Sequence, residues 1–147
     1  MAMETKGYTN SQGIKNSSAR ILPKDTVVFG RDVQVGFTTI MGKPMATSQH
    51  FFNWICRGDL APRFLMQALR ASKAYMETKS SGAIHQTIYM PAAREFHVCL
   101  PTRKQQDNLT TKLDARLTAA TEILTAARAE LKAIQSLPAA ALRRVFS

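Results

Sequence analysis

Residues 102–136 read TRKQQDNLTTKLDARLTAATEILTAARAELKAIQS. Within this stretch Leu113, Leu117, Ala120, Leu124, Ala127, Leu131 and Ile134 follow one another at alternating steps of four and three. That spacing is an a/d heptad seam, and it predicts a long helix of the coiled-coil kind. The start is marked as well. Thr102 follows Pro101, and Gln105 stands three residues on, the spacing of a capping box. Pro138 marks the predicted end. Nothing else in the chain has a matching repeat, so the seam is expected to meet a second chain. Everything before it reads as one compact module.

The 147 residues suit one small domain with an extended element attached. An apolar content of 45% is enough for a core. The charge is less ordinary. Twenty lysines and arginines stand against ten acids, a net charge of +10. Residues 1–103 carry 13 basic and 6 acidic side chains, and residues 104–147 carry 7 and 4. The excess is therefore spread along the chain, and the first functional expectation is a polyanion such as nucleic acid. Cys56 and Cys99 lie in apolar, strand-like runs and form no CxxC or Cys/His spacing, so they read as reduced buried thiols of a cytosolic protein without a zinc site. No apolar run approaches the length of a membrane span, and the polar start from Met1 to Ile14 does not resemble a signal peptide.

Taken in order, residues 1–19 read as a frayed terminus or surface loop. Ile21-Leu22-Pro23-Lys24-Asp25 is a turn. Strands are expected over Thr26 to Arg31, over Val33 to Ile40 with a bulge or close backbone approach at Gly36, and over Phe51 to Cys56. A helix starts at Pro62, places Phe64, Leu65, Ala68 and Leu69 on one face, continues with a break past Tyr75 and Met76, and stops by Gly82. Ala83 to Thr87 is a polar loop, Ile88 to Met90 extended, and Pro91 to Arg94 a single helical turn. Phe96 to Leu100 is the last expected strand, and Pro138 to Phe146 a short terminal helix.

Catalytic patterns are scarce. His50, His85 and His97 have no metal-type partner close in sequence, no GxSxG or phosphate loop occurs, and acids are few. The chain therefore reads as a non-enzyme. The polar loops carry more. Ser17 to Arg20, Arg31 to Gln34, Lys43 with Thr47 to His50, and Ser81 to Thr87 place basic or amide side chains at strand ends. Amides and arginines suit base edges, while lysines and hydroxyls suit phosphates.

The stretch SSARILPKDTVVFGRDVQVGFTTIMGKPMATSQHFFNWI, residues 17–55, resembles the second half of a target recognition domain from the DNA specificity (S) subunit of type I restriction-modification systems. The likeness lies in Leu22-Pro23-Lys24-Asp25-Thr26-Val27, in Arg31 followed by Val35-Gly36, and in Ala46-Thr47-Ser48-Gln49-His50-Phe51. It continues through the Phe64-Leu65 helix, the Gly82 to Ile88 loop, Val98-Cys99-Leu100-Pro101 before Gln105 or Gln106, and the Leu137 to Phe146 stretch. It covers about residues 14–147, and the order of the fragments ahead of a heptad helix is what makes it specific.

The resemblance implies an α+β fold: a truncated mixed β/α target recognition domain over residues 1–101, then a long C-terminal coiled-coil helix and short terminal helix over 102–147. It implies a cytoplasmic protein that reads one half of a split site in double-stranded DNA. It implies partnership with modification and restriction subunits and with a second S-type chain, and no membrane. No cofactor belongs to the chain itself; S-adenosylmethionine would belong to the modification subunit, which methylates adenine. Phosphate contacts are expected from Arg20, Lys24 and Lys43, and base-edge contacts from Arg31, Gln49, His85 and Gln86. The Leu/Ala alternation of the seam suits a tight antiparallel helix pair, since small residues in alternate layers let two helices approach. Compared with the family, the domain's usual opening strands and a second long helix are expected to be missing, as in a half-subunit or a fragment. A fragment would act only as a helix-mediated dimerisation scaffold without reading DNA.

Overall fold

The computed structural model describes residues 1–5, 7–32, 34–82 and 86–145, with the backbone alone at 139–141 and 143–145. Met1–Thr110 and Thr111–Ser147 form two compact units. The first is built on a three-stranded antiparallel sheet of β1 (Val27–Gly30), β2 (Thr38–Ile40) and β3 (Phe51–Trp54), in the order β2-β1-β3. Phe29 lies opposite Thr38 on one side and Phe52 on the other. Every residue of β1 is buried, as expected for a central strand. Its β-branched and aromatic side chains fit a pleat covered on both faces.

The helices are α1 (Ser11–Lys15), α2 (Pro62–Ala71), α3 (Lys73–Thr78), α4 (Met90–Arg94) and α5 (Arg103–Val145). Pro62 opens α2, where a missing N–H costs nothing. Leu65 and Leu69, one turn apart on α2, enter the core with Val27, Phe29, Ile40, Phe52, Met76 and Ile88. Trp54 meets Phe29 and Phe52 edge-on, with ring centroids 6.3 and 6.1 Å away. The expected break in the helix falls at Ser72, between α2 and α3.

Gly36 has φ +88°, and Gly30 faces both it and the next residue: Gly36 N donates to Gly30 O (3.1 Å) and Gly30 N to Phe37 O (2.8 Å). This two-against-one pairing is the expected bulge, and it delays β2 to Thr38, after the predicted start at Val33. A side chain at position 36 would sit in the left-handed region, with its Cβ 2.5 Å from Lys73 Cγ. Gly36→Ala should lower stability by about 1–2 kcal/mol, read as a fall in the urea midpoint. An unchanged midpoint would show that the bulge relaxes freely.

Four local expectations change. The described part of residues 1–19 lies at the surface, as one of its two readings had it, but is not simply frayed: Ala2 N donates to Ile40 O and Gly42 N to Ala2 O, both at 2.8 Å, and α1 is capped by Asn10, whose side chain accepts from Gly13 N. Phe96 to Leu100 is not a strand; Phe96 packs against the core, and the segment makes no ladder with the described strands. Cys99 is exposed, whereas Cys56 is half-buried beside the Trp54 carbonyl. Burial pushes the Cys56 thiol up, against an opposing pull from the Arg103 guanidinium. Finally, Pro138 does not end the long helix. α5 passes through it to Val145 without a separate terminal helix. The proline removes one backbone donor, while the strong helix formers Ala139-Ala140-Ala141 favour continuation.

The capping box forms as read. Gln105 Oε1 accepts from Thr102 N (3.0 Å), and Thr102 Oγ1 accepts from Gln105 N (3.4 Å). The next residue binds the first unit together. Gln106 is fully buried. Its Oε1 accepts from Ala61 N (2.8 Å), and its Nε2 donates to the carbonyls of Asp59 and Pro101, both at 2.8 Å. Ala61 caps α2 and offers no side-chain cap, so Gln106 supplies the missing acceptor from far along the chain. The first unit therefore takes in the start of α5 as far as Thr110, which is buried too.

Candidate nucleic-acid interface

Antiparallel pairing of β1 with β3 brings Gly30 opposite Phe51. Arg31 and Asp32, leaving β1, thereby meet Gln49 and His50, entering β3. Arg31 N donates to His50 O (3.0 Å), and His50 Nδ1 lies 2.5 Å from Asp32 Oδ2. A third segment joins from the far side, where Ile88 N donates to Arg31 O (2.8 Å). The Arg31 guanidinium lies 5.1 Å from the Phe52 ring centroid and 5.9 Å from that of Tyr89.

On the other side of the Gln49-His50 turn lies a cleft of about 400 Å³. Residues 17–20 form one wall and residues 47–49 the other, with Asn53 of β3 between them. A bridge between Leu22 and Met45 holds the walls together, through hydrogen bonds of 2.7 and 3.1 Å. The lining supplies the hydroxyls of Ser17, Ser18, Thr47 and Ser48, the amides of Gln49 and Asn53, and the Arg20 guanidinium, and it contains no carboxylate. Asn53 Nδ2 donates to Thr47 Oγ1 (2.8 Å), leaving Asn53 Oδ1 buried and unpartnered among the described residues. Such a surface offers one cation and several neutral donors and acceptors, the mixture that suits phosphate and base edges.

The structure gathers some of the expected contact residues and separates others. Arg20 and Gln49 share the cleft, and Arg31 pairs through its backbone with His50, the residue after Gln49. Lys43 lines a different, more apolar cleft with Tyr8, Ile14, Ile21 and Met45. Lys24 is exposed in the Pro23-Lys24-Asp25 turn and lines neither cleft; Asp25, with φ +68°, reverses the chain there. Gln86 contacts the Ser80 hydroxyl beside the Ser81–Thr87 bridge. His85 lies outside the described residues. Sequence reasoning passed over Asp32, Asn53 and Tyr89. Asn53 had left a faint signal, a lone amide between Phe52 and Trp54; Tyr89 left none.

In the second unit the α5 seam is uncovered. Leu113, Leu117, Leu124, Leu131 and Ile134 are each 38–55% exposed, and Ala120 and Ala127 are exposed with them. Among the described residues no helix is long and apolar enough to cross a membrane.

Residues 2–133 match the family model of the type I restriction modification DNA specificity domain. The chain belongs to that family. The specificity domain is 23% identical over 104 residues to the specificity subunit of the type I restriction enzyme MjaIX from Methanocaldococcus jannaschii, covering 69% of this chain and 24% of that protein. Its fold resembles the S subunit of a type I restriction-modification system from M. genitalium, with a TM-score of 0.53 and 17% identity over 65% of this chain and 27% of the other. The specificity domain thus spans about a quarter of the length of these relatives. The α+β fold with a long C-terminal helix agrees with the architecture expected from sequence.

Proposed function

We propose that this chain reads one half of a split DNA site and pairs through α5 with a second S-type chain, so that two modification subunits are placed on the target adenines. The observation that carries the reading is the sheet end where Arg20 and Gln49 line one cleft and Arg31 pairs through its backbone with His50, the residue after Gln49, in a member of a DNA specificity family. Chemistry would belong to partners: methylation to modification subunits using S-adenosylmethionine, cleavage to a restriction subunit. The chain itself acts as a non-catalytic cytoplasmic reader. In this reading Arg20, Lys24 and Lys43 are the phosphate contacts, and Arg31, Gln49, His85 and Gln86 are the base-edge contacts.

The test is duplex binding by the full chain at several salt concentrations, followed by sequence selection from a randomised pool. Affinity should fall steeply with salt, because each neutralised phosphate releases counterions. Gln49→Ala should relax selectivity at one base pair, by about 1–3 kcal/mol, and leave the other positions alone. Unchanged selectivity would remove Gln49 from the interface.

The uncovered seam favours a second reading, a dimerisation scaffold that reads no DNA. Such a scaffold associates through α5 but binds DNA weakly, without sequence preference or a steep salt dependence. Co-expression with a modification subunit separates the two, since only the reader supports sequence-dependent adenine methylation.

A further inference from the structure

We infer that Arg31 distinguishes one guanine of the DNA target, and that Phe52 and Tyr89 are the positioning residues that make it selective. The inference rests on the DNA-recognition reading above and adds to it a base and a means of orienting the side chain.

The backbone of Arg31 is held from both sides, its N–H by His50 O (3.0 Å) and its carbonyl by Ile88 N (2.8 Å). Its guanidinium lies against the buried ring of Phe52 and the half-exposed ring of Tyr89. The neighbouring carboxylate does not take the charge. Asp32 Oδ2 is engaged by His50 Nδ1 at 2.5 Å, while Arg31 Nε and Asp32 Oδ1 are both buried without a hydrogen-bond partner among the described residues. The cation thus lies beside two aromatic rings and, among the described residues, makes no ion pair.

Cation–π contact of this kind restricts where the planar fork of N–H donors points while leaving its outer donors free to bind. Two ligands offer a pair of acceptors to such a fork: the O6/N7 edge of guanine and the oxygens of a phosphate. Phosphate accepts from many directions and is served equally by a mobile lysine. A fork restricted by two rings gains most from guanine, whose two acceptors lie in one plane. The surroundings favour the base as well. The segments bordering Arg31 present the exposed amides of Gln49 and Gln86, which suit base edges.

The experiment selects bound duplexes from a randomised pool with the wild-type chain and with Arg31→Lys, Tyr89→Phe and Tyr89→Ala. Thermal unfolding is recorded for each. Wild type should show one position of G·C preference that Arg31→Lys reduces roughly tenfold to a hundredfold, leaving other positions and the salt dependence unchanged. Tyr89→Phe keeps the ring and should keep the preference. Tyr89→Ala should weaken it at that same position with little change in melting temperature, since Tyr89 is 54% exposed. Arg31→Lys that retains the preference, or that weakens all positions equally as a phosphate contact would, overturns the assignment alone. A wild type that binds duplexes with no base preference overturns the recognition reading and this assignment with it.

Discussion

Gln106→Ala should destabilise the first unit by about 3–5 kcal/mol, a large share of the 5–15 kcal/mol typical of a domain. The side chain is fully buried and makes three hydrogen bonds of 2.8 Å. Its removal leaves the Ala61 N–H and the carbonyls of Asp59 and Pro101 without partners. Each buried group left unpaired costs about 1–3 kcal/mol, partly recovered if water enters the vacated space. Gln106→Glu separates polarity from shape. It keeps one acceptor for Ala61 but turns the donating end into an oxygen facing two carbonyls. At neutral pH the loss should equal or exceed that of the alanine variant. It should shrink as pH falls, because a protonated carboxyl again donates to one carbonyl. Trp54, the only tryptophan, packs in this unit against Phe29 and Phe52, so its fluorescence in urea reports the transition. A loss below about 1 kcal/mol in Gln106→Ala would mean that hydration fully replaces the three bonds.

Leu124→Asp should abolish helix pairing. Leu124 lies mid-seam, between Ala120 and Ala127, and is 49% exposed in the single chain. Burying a leucine fully contributes about 1.5–3 kcal/mol, and a symmetric pair loses that twice. A carboxylate in the seam adds a desolvation cost. The dissociation constant should rise by at least roughly 100-fold, which corresponds to about 2.7 kcal/mol. Sedimentation across a concentration series reads the result. Thr118→Asp, on the polar side of α5, serves as the control and should associate like wild type. If Leu124→Asp sediments as wild type does, the seam is not the association surface, and both functional readings lose their α5 contact.

These predictions differ in how far each could be foreseen. The α5 seam was legible because heptad spacing is a local property: residues three and four apart share a helix face whatever surrounds them. The capping box at Thr102 and Gln105 was legible for the same reason, since both partners lie within one turn. The three strands declared themselves through β-branched and aromatic runs, and Gly36 announced its bulge. Phe96 to Leu100 carries the same kind of pattern and is not a strand. A strand needs a neighbouring edge, and the pattern of one segment cannot state whether an edge lies beside it.

By itself, then, the sequence determined the long helix, its seam, its capped start, the places of the three strands along the chain and the family to which these belong. All follow from short-range rules: helical period, alternation, turn chemistry and the sequence of motifs. The tertiary structure alone decided that Gln106 reaches back to Asp59 and Ala61, and that α2 takes its acceptor from α5. It alone placed Arg20 with Gln49 in one cleft while leaving Lys43 and Lys24 outside it. It alone put Tyr89 against Arg31, fifty-eight positions earlier in the chain. These pairs are distant in sequence, and what joins them is the register of β1 with β3 and the path of the loops between. Register depends on which faces are buried when the whole unit collapses. That is a property of the assembled core, and no local segment carries it.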